Sequence, residues 1–130
     1  MPRELSDIRA DIDTLDQQIV ASLFDEGINE ENPESADITK DEIAQICTLQ
    51  LHFSAKTWAL LNQRMALSRE VWENKKATKL DVVVDKERYE VVIARAQSHA
   101  PKYAREEVRK LYNLIHDISV RIQQEIIGTP

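Results

Sequence analysis

Glycine is almost missing. Gly27 and Gly128 are the only two, so residues 28–127 contain none. Phosphate-cradling loops, tight hairpins and dinucleotide folds need backbone conformations that glycine adopts most cheaply, so this absence argues against them. It also removes helix breakers and points to long helices. Cysteine occurs once, at Cys47, so no internal disulfide forms and a reducing compartment is the simplest expectation. A basic surplus is lacking as well. With 17 Lys and Arg against 23 Asp and Glu the net charge is −6, which argues against a nucleic-acid partner. Basic residues are scattered, with no block suited to an anionic membrane. The start MPRELSDIRADID has no apolar stretch of the secretory kind, and no run approaches a membrane span. The expectation is a soluble, cytoplasmic protein of one domain spanning residues 1–130, with a modest core.

What remains is helical periodicity. Leu5, Ile8, Ile12, Leu15, Ile19 and Leu23 recur at three and four, with Ser6 as a candidate N-cap and an end near Asp25 to Gly27. The polar stretch NEENPESAD is a loop. Thr39 and Glu42 have capping-box spacing and open a second helix. That helix is expected to run unbroken to about Lys76, with Ile43, Ile46, Gln50, Phe53, Thr57, Leu60, Arg64, Leu67 and Val71 on its seam. It would span about 55 Å, longer than a small globule is wide, so part of it is expected to meet another chain. VVVDKERYEVVIARAQS reads as a third helix with Val84, Val91 and Ala94 inward and Glu87 on the same stripe. Pro101 suits the first turn of a fourth, whose stripe is Val108, Leu111, Ile115, Ile118 and Ile122. The fold class is all-α, a bundle of about four helices with one long spine, 39–76.

Candidates for chemistry are polar residues on or beside those stripes. Arg64 and Lys75 stand eleven residues apart, so both lie within about 20° around the helix axis. Ser119 and Gln123 share a face of the last helix, and Glu87 occupies a core-type position. Each has an ordinary structural reading too: a cation snorkelling over the core edge, an ion pair across the bundle, an interhelical hydrogen bond. Their presence on several helices suits a shared anionic ligand. His52, His99 and His116 have no metal-site spacing, and Cys47 is read as a buried, inert thiol. Trp58 and Trp72 read as core or interface anchors.

These segments form a familiar set. IRADIDTLDQQIVASL resembles the opening helix of the all-helical chorismate mutases, and LLNQRMALSREVWENKK resembles the second half of that helix, with an Arg and a Lys eleven apart. DKERYEVV is similar to the second family helix, and HDISVRIQQ to the last, with its Ser and Gln four apart. The resemblance covers most of the chain outside residues 26–58, an inserted loop and helix extension. It implies a cofactor-free [3,3] rearrangement of chorismate to prephenate, achieved by positioning and electrostatics alone. Lys75 and Gln123 would then donate to the ether oxygen, and Arg64 and Arg9 would clamp the two carboxylates. Glu87 would accept from the ring hydroxyl, and Ser119 would help fix a carboxylate. A small-molecule substrate and a homodimer are expected, with no metal.

Three departures stand out. Lys86 takes the place of a second-helix Arg, and Val83 the place of a common Asp, whose backbone N–H still suits a carboxylate. The largest is the separation of Arg9 from Arg64 by the insertion, since in the usual dimer the N-terminal Arg completes the partner's site. Arg9 could serve its own chain, a partner, or neither. The same fold also accommodates isochorismate pyruvate lyases and 4-amino-4-deoxychorismate mutases, although such lyases usually lack the Ser of the Ser119/Gln123 pair. From a different class, a non-catalytic helical binding protein fits the insertion and the substitutions.

Overall fold

The apolar periodicity of the first segment is realised as helix α1, Leu5–Ser22, in a computed structural model that describes residues 3–24, 37–78 and 86–128. Ile8, Ile12, Leu15, Ile19 and Leu23 are all buried. The cap is Glu4, two residues earlier than Ser6, and it makes no side-chain cap bond. Helices α2 (Lys40–Cys47), α3 (Ala55–Thr78), α4 (Lys86–Ser98) and α5 (Arg105–Ile127) follow, with a 3₁₀ turn at Lys102–Ala104 that Pro101 initiates. Helix α3 is the centre: α1 packs along one side of it and α5 along the other, while α4 and α2 lean on α5. Trp58, Leu61, Met65 and Trp72 of α3 meet Val108, Leu111, Ile115, Ile118 and Ile122 of α5 in one core. The all-α class therefore stands, as does the fourth stripe. Among the described residues no helix is long and apolar enough to cross a membrane.

The unbroken helix expected over 40–76 is instead two helices. Neither glycine nor proline breaks it. Thr48 turns its hydroxyl back onto the Gln45 carbonyl at 2.6 Å, and the Gln50 N–H donates to Glu107 of α5 at 2.9 Å. Ser54 then starts α3 afresh, accepting the Thr57 N–H on its hydroxyl at 3.3 Å and the Trp58 N–H on its carbonyl at 3.1 Å. Polar side chains that bond local backbone compete with the helix in this way. With the break, the rod-length reason for meeting another chain falls away: α3 alone spans about 36 Å. Cys47, at the end of α2, is exposed rather than buried.

The third helix is also read differently by the structure. Tyr89, Val92, Ile93 and Ala96 face inward, whereas Val91 is 48% exposed and Ala94 is exposed. Spacings of three, four and seven from Tyr89 make the better apolar stripe. Val82 to Val84, the only stretch that resembled a strand, and Gly27 lie outside the described residues.

Helix α2 is fastened by charge. Its capping box is formed, with the Thr39 N–H on Glu42 at 2.9 Å and the Glu42 N–H on Thr39 Oγ1 at 3.2 Å. Arg121 of α5 grips both oxygens of Glu42 at 2.8 and 2.9 Å, and Arg69 of α3 holds Asp37 at 2.8 Å. Partial burial raises the Glu42 pKa, but the Arg121 guanidinium and the Thr39 N–H together outweigh it and hold the group below the usual carboxylate value. A depressed folded-state pKa means stabilisation present above about pH 4.5 and lost as pH falls through the folded value. Glu42→Gln should therefore lower the urea midpoint at pH 7, and its deficit against wild type should shrink as unfolding is repeated at pH 4.5 and below.

Candidate functional site

Arg64 and Lys75 face inward from α3, only 9% and 6% exposed. Buried cations cost several kcal/mol unless paired. Arg64 meets that demand with Asp16 of α1, Nε to Oδ1 at 2.9 Å, and with Ser68, Nη1 to Oγ at 2.7 Å. Asp16 also accepts the Tyr112 hydroxyl of α5 at 3.1 Å. Lys75 places its ammonium 4.8 Å from the Trp72 ring centroid, a cation–π contact. The Trp72 indole N–H in turn donates to the Ser119 carbonyl at 3.0 Å and lies 3.3 Å from its hydroxyl. Three helices are thus tied together around two cations.

Between them lies a cavity of about 110 Å³. Four cations line it: Arg9, Arg64, Lys75 and Arg88. Ser68, Ser119, Tyr89, Tyr112 and His116 supply polar groups, and Ile12, Val71, Trp72, Val92 and Ile115 supply apolar walls. Two wider concavities, of about 460 and 440 Å³, carry carboxylates and no Lys or Arg. Asp11 and Glu70 line the first and Glu107 the second. Of these three among the described residues, the cationic cavity is the one that suits an anion, and its apolar walls suit a carbon skeleton. Asp13 holds Arg88 at 2.8 Å and Arg95 at 2.9 Å from outside the lining. Among the described residues no His, Cys, Asp or Glu trio gathers as a metal site.

Of the residues singled out from sequence, Arg9, Arg64, Lys75 and Ser119 meet in this cavity, and Arg9 comes from the same chain. Gln123 stands one turn beyond Ser119, half-buried and outside the lining. Glu87 does not occupy a core position. It is exposed, as is Lys86, and neither lines the cavity. The inward stripe through Val92 brings Arg88 to the cavity, since residues four apart share a helix face. Val83 lies outside the described residues. Sequence reasoning missed Arg88, Asp16, Tyr112 and His116. Asp16 carried a usable signal: it follows Leu15 on the buried side of α1, a charge on an apolar stripe as Arg64 is.

A family model described as chorismate mutase type II matches residues 55–124, which takes in nearly all of α3, α4 and α5. No curated protein matches, and no solved structure does.

His116 stacks on Tyr89 with ring centroids 4.0 Å apart. Burial lowers its pKa from the ordinary histidine value of 6.5, with Asp117 acting the other way. At neutral pH the ring is therefore neutral, and an anion in the cavity must favour its protonation. Histidine-detected NMR should show His116 titrating below 6.5 in the free protein and shifting upward when a dicarboxylate is added. Binding should accordingly tighten as pH falls from 7 to 5.5, and His116→Gln should flatten that dependence.

Proposed function

The chain belongs to the chorismate mutase type II family, and from that premise we propose that it converts chorismate to prephenate without a cofactor, within aromatic amino-acid or specialised aromatic metabolism. One observation carries the reading: Arg9, Arg64 and Lys75 of a single chain converge with Ser119 on one cavity. The rearrangement breaks an ether bond while a new carbon–carbon bond forms, so negative charge grows on the ether oxygen and no proton moves. Fixed donors aimed at that oxygen lower the barrier, and clamped carboxylates hold the side chain folded over the ring.

In this assignment Lys75 donates to the ether oxygen, backed by the Trp72 ring. By family resemblance Gln123 is the second donor, approaching from the turn beyond Ser119. Arg64 and Arg9 take the carboxylates, and Ser119 supports one of them. Arg88 replaces Lys86 as the cation of the second family helix, and Glu87 is left without a role. Among the described lining residues there is no carboxylate to receive an ammonium, which favours chorismate over its 4-amino analogue. Because Arg9 lines its own chain's cavity, we assign each site to one chain, whether or not the protein pairs.

The decisive assay offers the purified protein chorismate, isochorismate and 4-amino-4-deoxychorismate separately and follows the loss of each. Chorismate should be consumed with prephenate as product. Turnover of none would point to the non-catalytic reading. Lys75→Ala should lower kcat by at least about 10²-fold, the scale for removing one preorganised donor. Mixing Arg9→Ala and Lys75→Ala chains should restore nothing, because the two defects sit in one site per chain. Recovery of activity in the mixture would show the site to be shared.

A further inference from the structure

Arg64 offers five N–H donors. Its Nε is taken by Asp16 at 2.9 Å and one Nη1 hydrogen by Ser68 at 2.7 Å. The other three meet no partner among the described residues, in a side chain that lines the cavity. A guanidinium on a long side chain would ordinarily sample many orientations, so something must select which edge a ligand meets.

Asp16 is placed to make that selection. It is 4% exposed, sits on α1 behind the cavity wall and is not itself part of the lining. A single oxygen, Oδ1, receives both the Arg64 Nε–H and the Tyr112 hydroxyl, the latter at 3.1 Å. The same hydroxyl lies 3.3 Å from the Asp16 backbone carbonyl, so the phenol locks both ends of the residue. Tyr112 is 2% exposed. Burial first, and the Asp16 carboxylate next, push its pKa well above the usual phenol value, so it remains a donor throughout the neutral range.

We propose that Asp16, anchored by the Tyr112 hydroxyl, is a positioning residue that fixes the edge of Arg64 presented to a carboxylate of the ligand. The identity of that ligand rests on the chorismate reading; the hold on Arg64 does not. The geometry leaves Asp16 no contact with substrate, so it acts entirely through Arg64. It also leaves the charge of the cavity wall reduced, since one guanidinium is neutralised from behind.

Two variants test this while preserving volume: Asp16→Asn and Tyr112→Phe. Because a carboxylate is clamped in both ground and transition states, Asp16→Asn should raise KM by about tenfold or more with kcat altered less than about threefold, and Tyr112→Phe should do the same more weakly. In an Arg64→Ala background Asp16→Asn should change kcat/KM by less than about twofold, since its partner is gone. An equal loss in both backgrounds would overturn the proposal and leave only a stabilising ion pair. A readout independent of activity is the ¹⁵N resonance of Arg64 Nε–H. It should be slow to exchange in the wild type, broaden in Tyr112→Phe and exchange freely in Asp16→Asn. That result without any chorismate turnover would uphold the positioning role and reject the reaction. An Nε–H signal unaltered by both variants would reject the positioning role, whatever the activity.

Discussion

A guanidinium at 9% exposure must be paired, and the pairing of Arg64 with Asp16 is the constraint on which the site depends. The two residues lie 48 positions apart, on α1 and α3, so the ion pair sets the register of one helix along the other. Arg9 precedes Asp16 by seven residues, two turns of helix, and therefore falls on the same side of α1. Arg9, half-buried on that side, lines the cavity. With α1 packed on α3 in this way, Arg9 and Arg64 line one cavity although 55 positions separate them in the chain. Arg121 holds Glu42 of α2, and Arg69 holds Asp37 just before it, from positions next in sequence to the lining residues Val120 and Ser68 but outside the lining.

Charge balance follows from the same pairing. Four cations line the cavity, and two carboxylates, Asp16 and Asp13, stand behind Arg64 and Arg88. Asp13 is shared with Arg95, and the lining itself carries the four cations and no carboxylate. Lys75 has an aromatic face behind its ammonium, the Trp72 ring at 4.8 Å.

Periodicity disclosed α1 and α5 almost completely, because a single unbroken apolar stripe admits one register. It failed where two registers compete. On α4, Val91 and Ala94 suggested one face, whereas Tyr89, Val92, Ile93 and Ala96 bury more apolar surface and win, which sends Glu87 to water and Arg88 inward. The break before Ala55 was invisible to a search for Gly and Pro, since Thr48, Ser54 and Thr57 end and restart the helix with hydroxyls. Arg64, Lys75 and Ser119 were legible as polar residues on apolar faces. Asp16 was legible in the same way, but its pairing with Arg64 and Tyr112 was not, because those bonds span 48 and 96 residues of sequence.

The central claim is that cations from one chain converge on a single dicarboxylate cavity, and calorimetry tests it most directly. A rigid bicyclic dicarboxylate ether that mimics the rearrangement transition state would be titrated into the protein beside its monomethyl ester. The account predicts one molecule bound per chain, with the diacid at least about 10²-fold tighter than the monoester, as loss of one clamped carboxylate implies. Equal affinities for the two, or binding that persists in an Arg64→Ala variant, would contradict it.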